Sequence, residues 1–283
     1  MKHGGRLVRF VTLLGVPLFL ATSLLAQAPA DMPVPALTTL VDGPSGRIAF
    51  KTLTLTSTQS LNGAKKGKKS LIWGELRLPP VVTWGEFHLP NEYLERRPAV
   101  ILLHGEDGLS AREAHWAALL NEMGVPTFVL DSFTGRGFSH PFDPASTPGQ
   151  EAMIVDAYRA LALLSTHSRI DRTRIALMGF SRGGAAALYA SHLRFRRIYG
   201  LADVEFTAYL AFYPACNTAY LPDEQVSDRP IRIFHGADDI ASLAACRGYI
   251  DRLRSAGKDV QLQAVEAVKA VLTATFKLPP ESR

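Results

Sequence analysis

The chain has 283 residues, of which 47% are hydrophobic and 20% are charged. This balance is typical of a globular protein and excludes an intrinsically disordered chain. The formal net charge is only +5, and part of it lies in a basic N-terminal leader, which argues against a nucleic-acid-binding surface.

Residues 1–28 predict a secretory signal peptide. A basic segment, residues 2–9, precedes an apolar stretch, residues 10–25, and small residues at 26–30 offer cleavage sites. The alternative is a membrane anchor, but the apolar stretch is shorter than the roughly 20 residues that a spanning helix needs. We therefore expect export, to a bacterial periplasm or beyond, and no stable membrane span once the leader is removed.

Residues 29–46 are predicted to be a linker, and residues 47–283 a single domain. Alternating apolar residues predict strands at 47–56 and 71–78, paired as an antiparallel hairpin around a lysine-rich loop. The linker is rich in proline and glycine, which favour neither helix nor strand.

A seven-residue pattern occurs twice near the start of this domain. Trp73-Gly-Glu-Leu-Arg-Leu-Pro79 returns eleven residues later as Trp84-Gly-Glu-Phe-His-Leu-Pro90. We interpret the repeat as a structural duplication that extends the hairpin into a meander. Two exposed tryptophans that line a substrate approach are the alternative.

Strands and helices alternate through the rest of the domain, which predicts a doubly wound, mostly parallel α/β sheet. Right-handed crossovers place the carboxyl ends of parallel strands at one edge, where His104, Asp131, Ser181 and Asp238 all fall. Strands are predicted at residues 98–103, 125–130, 175–178, 206–213, 231–234 and 260–265, and helices at 110–124, 147–164, 185–190, 242–256 and 266–277.

Two of these helices begin with capping-box patterns. Ser110 is followed three residues later by Glu113, and Thr147 is followed by Gln150. In the second pattern Pro148 would occupy the first helical position, where its missing N–H costs nothing.

The segment Gly179-Phe-Ser-Arg-Gly183 matches G-x-S-x-G, the pattern of a nucleophile elbow. A strand-like run precedes it and small helix-forming residues follow it, which is the context that the pattern requires. The amide of Arg182 is then expected to face a developing oxyanion at the start of a helix. The alternative is a glycine-rich connection that binds nothing.

The two cysteines, Cys216 and Cys246, follow strands that we expect to be neighbours. In an oxidising compartment they can form a disulfide, which would close a loop of about 30 residues and stabilise the fold by roughly 3–4 kcal/mol. Two buried free thiols are the alternative. Their spacing does not suit a metal site, and no dinucleotide fingerprint occurs, so neither metal nor cofactor is expected.

Four segments of the chain resemble the dienelactone hydrolase family of the α/β-hydrolase superfamily, in its serine-bearing, exported branch. They are His104-Gly-x-x-Gly-Leu109, Asp131-Ser-Phe-x-x-Arg-Gly137, Gly179-Phe-Ser-Arg-Gly-Gly184 and His235-Gly-Ala-Asp-Asp239, and the resemblance spans residues 70–262. It implies hydrolysis of carboxylic esters or lactones, with a small molecule as the substrate and no nucleic-acid partner.

The resemblance also implies residue roles. Ser181 stands where the namesake enzymes have a cysteine nucleophile, and Asp238 matches the acid, with Asp239 beside it as the alternative. The backbone amides of Glu106 and Arg182 match the oxyanion hole. A further residue, Arg136, either faces an anionic substrate or braces its loop through Asp131, and we slightly favour bracing.

The family's catalytic histidine is missing from its expected place. That histidine follows the last strand, where this chain reads Gln263-Ala-Val-Glu-Ala-Val-Lys-Ala270, and the chain has none after His235. Neither Glu266 nor Lys269 is a suitable base there, and without an imidazole a serine is a weak nucleophile. The sequence predicts an impaired ester hydrolase or a non-catalytic binding or structural module. The other histidines that could replace it are His104, His140, His192 and His235, although each position is more typical of a structural histidine than of a base.

Overall fold

The computed structural model describes residues 38–56, 76–77, 80–90, 95–138, 148–220, 222–236, 240–264 and 267–278. All of them belong to one compact unit, Pro35–Arg283. Several predictions concern residues outside these ranges: the leader, the lysine-rich loop, Trp73, Thr147, His140, Asp238, Asp239 and Glu266.

An eight-stranded sheet forms the centre of this unit, in the order β1-β4-β6-β5-β7-β8-β9-β10. The six strands from β6 to β10 run parallel, and β4 is antiparallel to both β1 and β6. This confirms the doubly wound, mostly parallel α/β architecture. The strands are β1 (Gly46–Thr52), β2 (Leu55–Thr56), β3 (Leu76–Arg77), β4 (Val81–His88), β5 (Arg97–Leu103), β6 (Thr127–Asp131), β7 (Ile170–Phe180), β8 (Tyr209–Phe212), β9 (Ile231–Phe234) and β10 (Val260–Gln263).

Helices cover both faces of the sheet. Leu120 and Leu272 belong to the core on one face, and Leu161, Leu188 and Leu253 to the core on the other. The first face therefore carries α1 and α6, and the second α2 to α5. The helices are α1 (Ala111–Glu122), α2 (Gln150–Leu164), α3 (Arg182–Ala190), α4 (Leu193–Tyr199), α5 (Ile240–Ser255) and α6 (Val268–Phe276).

The central strand β5 shows why its apolar run is continuous. Val100 and Leu102 face the α1 side, whereas Ile101 and Leu103 face the α2 side, and all four are fully buried. A strand of a parallel sheet covered on both faces has no solvent side, so polar alternation is lost.

The predicted hairpin of the N-terminal strands is confirmed only for residues 55–56 and 76–77, which pair antiparallel as β2 and β3, and was wrong for β1. The partner of β1 is β4, with Gly46 opposite Phe87 and Thr52 opposite Val81, and this strand contains the second copy of the repeat. From the first copy, only β3 is described, and it pairs with the two residues of β2. The second copy holds the interior position because β4 also pairs with β6, which gives it neighbours on both sides.

Trp84, in that second copy, has structural contacts. The Arg47 guanidinium lies 3.8 Å above its ring, and its indole N–H donates to Thr134 Oγ1 at 3.1 Å. These contacts support the interpretation of the repeat as structural for this copy.

The helix starts gave mixed outcomes. The capping box at Ser110 and Glu113 is present, and α1 begins directly after it. The second capping box was wrong, because α2 begins at Gln150 with Gly149 as its N-cap. The short helix α4 was not predicted; His192 caps it by accepting the Arg194 N–H at 3.2 Å. Its three arginines gave it no clear apolar stripe in the sequence.

A disulfide joins Cys216 and Cys246, whose Cα atoms are 4.9 Å apart. It ties the segment after β8 to α5, and both cysteines are buried. Within the described part of the chain, no helix is long and apolar enough to cross a membrane.

Candidate active site at the carboxyl ends of the strands

Ser181 occupies the tight turn between β7 and α3. Its backbone has φ 52° and ψ −113°, a conformation that a non-glycine residue adopts at a cost of roughly 1–3 kcal/mol. Its N–H donates to the Phe212 carbonyl of the neighbouring strand at 3.0 Å, and its own carbonyl accepts from Ala185 N at 2.8 Å. The turn is held on both sides, and Ser181 remains partly exposed at the end of the sheet.

The turn requires glycine at two positions. A Cβ on Gly179 would collide with the Gly183 carbonyl, and a Cβ on Gly183 would collide with the carbonyls of Leu103 and His104. These atoms are backbone and cannot rotate away. The G-x-S-x-G spacing therefore reflects how closely β7, α3 and the end of β5 approach one another.

Two backbone amides lie at the same edge as Ser181. The amide of Arg182 opens α3, where the first N–H groups of a helix have no partner within the helix. The amide of Glu106 lies in the turn after β5, the strand that pairs Leu103 with Gly179 of β7. Neither amide has a protein acceptor among the described residues. Their positions suit donors to an oxyanion.

The side chains of these two residues pair with each other. The Arg182 guanidinium donates to the Glu106 carboxylate, and it also donates to the Pro148 carbonyl at 3.0 Å. The ion pair is partly exposed, with Glu106 at 48%.

His104 is engaged through both ring nitrogens. Nδ1 donates to the Gly105 carbonyl at 2.7 Å, and Nε2 accepts the Ser132 N–H at 3.1 Å. Burial lowers the pKa of His104, although the carboxylates of Asp131, Glu113 and Asp107 act in the opposite direction. The imidazole is thus neutral and has no lone pair for a serine proton, so it links the loops after β5 and β6.

The other two described candidate bases have different partners. His192 accepts the Arg194 N–H and donates through Nε2 to the Pro222 carbonyl at 2.9 Å. His235 follows β9, two strands from β7, which corresponds to roughly 10 Å at the usual strand spacing. Its Nε2 lies 3.6 Å from the Sγ of Cys246. Neither histidine has a described contact with Ser181.

Asp131 holds its own loop. Its Oδ1 accepts the N–H groups of Phe133 at 2.8 Å and Thr134 at 3.0 Å, and Oδ2 accepts the Thr134 hydroxyl. These bonds start the 3₁₀ turn Thr134–Arg136.

Arg136 braces this loop, but through a different carboxylate from the one expected. It makes two hydrogen bonds of 2.7 Å to Asp156 of α2, and the two side chains are 2% and 0% exposed. Its other donors reach the Ser132 and Leu53 carbonyls and Thr54 Oγ1. The expected link between Arg136 and Asp131 was wrong, because both carboxylate oxygens of Asp131 accept hydrogen bonds from its own turn. Sequence spacing offered no signal for Asp156.

The site is therefore described in part. The structure brings together Ser181 and the amides of Glu106 and Arg182, whereas Asp238 and Asp239 lie outside the described residues. Within the described residues, no group of three or more histidine, cysteine, aspartate or glutamate side chains could hold a metal ion. The described part of the site is a partly exposed serine, at the same strand edge as two backbone amides.

Comparisons with known proteins concern the fold and the segment around Ser181. The family model of acetyl xylan esterase (AXE1) matches residues 150–215, which include the Ser181 turn. A dienelactone hydrolase-like promiscuous phosphotriesterase from metagenomic libraries is 18% identical, with a TM-score of 0.50 over 82% of this chain and 99% of its own. Dienelactone hydrolase from Anabaena variabilis is 17% identical, with a TM-score of 0.50 over 76% of this chain and 96% of its own. A lipase/esterase from Lactobacillus plantarum is 16% identical, with a TM-score of 0.51 over 70% of this chain and 95% of its own. No curated protein sequence matches significantly.

Proposed function

We propose that this chain, which has the α/β-hydrolase fold of the dienelactone hydrolases, cleaves carboxylic esters or lactones through an acyl-enzyme on Ser181. The observation that carries the proposal is the backbone of Ser181, at φ 52° and ψ −113° between a buried strand and a helix. Strain of this kind persists where the surrounding structure enforces it, and it is concentrated at functional sites. The match to acetyl xylan esterases over residues 150–215 supports an ester as the substrate.

The reaction follows from the groups at the turn. Ser181 Oγ forms a bond to the carbonyl carbon, and the amides of Glu106 and Arg182 donate to the resulting oxyanion. The bond to the leaving oxygen then breaks, and the proton that Ser181 gives up passes to that oxygen through water. A second water attacks the acyl carbon, which releases the acid and restores the hydroxyl.

Turnover is expected to be slow for an enzyme of this fold. His104 and His192 are engaged through both ring nitrogens, and His235 lies against Cys246. Loss of one triad member typically lowers turnover by roughly 10⁴–10⁶, leaving the oxyanion hole and binding. We assign the acid to Asp238, which can act fully only with an imidazole beside it.

A non-catalytic binding or structural module is the second candidate. It is favoured by the same observation on the histidines, because each described imidazole near the strand ends serves structural contacts. In this case the elbow would be an inherited turn, and Ser181 would bind without reacting.

The expected partner is a small-molecule ester or lactone, reached from the open edge of the sheet. We propose that the protein is exported, since the basic and apolar segments within residues 1–28 form a signal peptide pattern. The chemistry needs no cofactor, because nucleophile and oxyanion donors belong to the chain.

A fluorophosphonate distinguishes the two candidates. In labelling, Ser181 Oγ bonds to phosphorus while fluoride leaves, and the serine proton passes to water. We expect the wild type to be labelled and to release nitrophenol slowly from nitrophenyl acetate, and the Ser181→Ala variant to do neither. Equal rates in wild type and variant would leave the binding-module candidate.

A further inference from the structure

The turn that carries the Glu106 amide is short and weakly held by its own bonds. It runs from Gly105 to Gly108, with one internal hydrogen bond of 3.3 Å from Gly108 N to Gly105 O. Gly108 has φ 78°, and a Cβ on Gly105 would lie 2.6 Å from Asp107 Oδ1. Such a turn needs outside contacts to hold its amide in one direction.

Arg112 supplies one set of these contacts. Its Nη2 donates to Asp107 Oδ1 at 3.2 Å, and its Nε donates to Glu113 Oε1 at 2.8 Å. The guanidinium also lies 5.2 Å from the ring centroid of Phe180, the residue before Ser181. One side chain thus touches both the turn after β5 and the strand that presents the serine.

The anchor of Arg112 is firm. Glu113 is buried, and its second carboxylate oxygen accepts the N–H and the hydroxyl of Ser110 at 2.9 and 2.8 Å. A buried carboxylate with charged and neutral donors on both oxygens has little freedom to move. The capping box of α1 therefore fixes the guanidinium as well as the helix start.

Arg182 supplies a second contact with the turn. The backbone of Arg182 provides one of the two candidate oxyanion amides, and the backbone of Glu106 provides the other. The Arg182 side chain pairs with the Glu106 carboxylate. Its second contact, with the Pro148 carbonyl, ties the same guanidinium to the residue two positions before α2.

We infer that Arg112 and Arg182 form a clamp of two positioning residues, which holds the Gly105–Gly108 turn against the Ser181 elbow and so directs the Glu106 amide at the oxyanion. The inference rests on the proposed function, because an oxyanion forms only if Ser181 reacts. Donors held in place before the reaction stabilise the transition state more than the bound substrate. The clamp should consequently act on kcat and leave KM nearly unchanged.

The two arginines should differ in effect. Both contacts with the turn are partly exposed and weakened by solvent and salt, since Asp107 is 55% and Glu106 is 48% exposed. The anchors differ, because Arg112 is held by the buried carboxylate of Glu113, whereas Arg182 is held by the Pro148 carbonyl. We expect Arg112→Gln to lower the fluorophosphonate labelling rate by about 10-fold, and Arg182→Gln by about 3-fold, as loosened oxyanion donors would. Arg112→Lys should recover part of the loss.

The experiment combines labelling with amide hydrogen exchange of the peptide that spans residues 104–109. For Arg112→Gln we expect faster exchange there, slower labelling of Ser181, and a lower kcat for nitrophenyl acetate at unchanged KM. Asp107→Ala is the second variant, since it removes the acceptor of the link to the turn and leaves the Arg112–Glu113 anchor in place. The matched control is Arg172→Gln, whose ion pair with Asp203 is exposed and remote from this turn.

The outcomes separate the clamp from the proposed function. Unchanged exchange in both Arg112→Gln and Asp107→Ala overturns the clamp, whatever the labelling. Faster exchange with unchanged labelling and kcat overturns the positioning role and leaves a structural one. A wild type that is never labelled overturns the proposed function and with it the positioning role. The difference in amide exchange between the wild type and the arginine variants would still show whether the arginines hold the turn.

Discussion

The two halves of the sheet edge around Ser181 differ in what their polar side chains do. Toward β6, the side chains of His104, Asp131 and Arg136 are engaged by the loops that they hold together. Toward β10, His235 lies against the disulfide, and no described imidazole reaches Ser181. The comparison teaches that the nucleophile and its oxyanion donors depend on backbone geometry and buried contacts, whereas proton transfer depends on a single side chain at the right place.

Removing Arg136 should have the largest effect. Arg136→Met would leave Asp156 buried without its guanidinium partner, and loss of one partner of a buried pair typically costs about 3–5 kcal/mol. Urea denaturation measures the change in the free energy of unfolding. Arg172→Met, which breaks an exposed pair, should cost less than about 1 kcal/mol. Similar losses in the free energy of unfolding for both variants would contradict the conclusion that the buried Arg136–Asp156 pair stabilises the loops on the β6 side.

Free imidazole should sharpen the contrast, because no imidazole among the described residues contacts Ser181 from the β10 side. We expect a saturable increase of about 10-fold or more in nitrophenol release by the wild type at pH 7.5, because a neutral imidazole can accept the Ser181 proton. The increase should shrink at pH 5.5, where imidazole is protonated. The Ser181→Ala variant is the control for direct hydrolysis by imidazole, and an equal increase in that variant would show that the site gains nothing.

The neutral state of His104 predicts a pH effect on stability. Burial lowers the pKa of the folded state below the value of 6.5 for an exposed histidine, so the unfolded chain binds more protons as the pH falls below 6.5. The stabilisation is present above pH 6.5 and is lost on acidification, with a slope of at most about 1.4 kcal/mol per pH unit for one group. Urea midpoints between pH 7.5 and 5 measure it. The slope should be smaller in His104→Gln, and identical slopes would contradict the assignment.

The smallest expected effect concerns the strain at the elbow. Ser181→Gly should be more stable than Ser181→Ala by about 1 kcal/mol, because glycine adopts positive φ without steric cost while alanine keeps the strain. The two variants both lack the hydroxyl, so the comparison isolates the backbone. Equal midpoints in thermal denaturation would mean that the turn stores no strain.

The sequence by itself determined the parts of the protein that depend on neighbouring residues. The buried run of β5, the capping box at Ser110 and the elbow at Gly179–Gly183 each express a period or a spacing within one turn or strand. Such patterns follow from local geometry, so they predicted the sheet and the position of Ser181. The sequence also contains no histidine after His235, where the family resemblance places the catalytic imidazole.

Only the tertiary structure decided which distant groups meet. Asp156 became the partner of Arg136, β4 displaced the expected partner of β1, and Arg112 reached both the oxyanion turn and Phe180. These contacts depend on how strands and helices pack across the fold, and many carboxylates in the sequence could have satisfied each guanidinium equally well. Sequence spacing carries no information on that choice, because the packing distances that select one partner arise only once the sheet and its helices have come together.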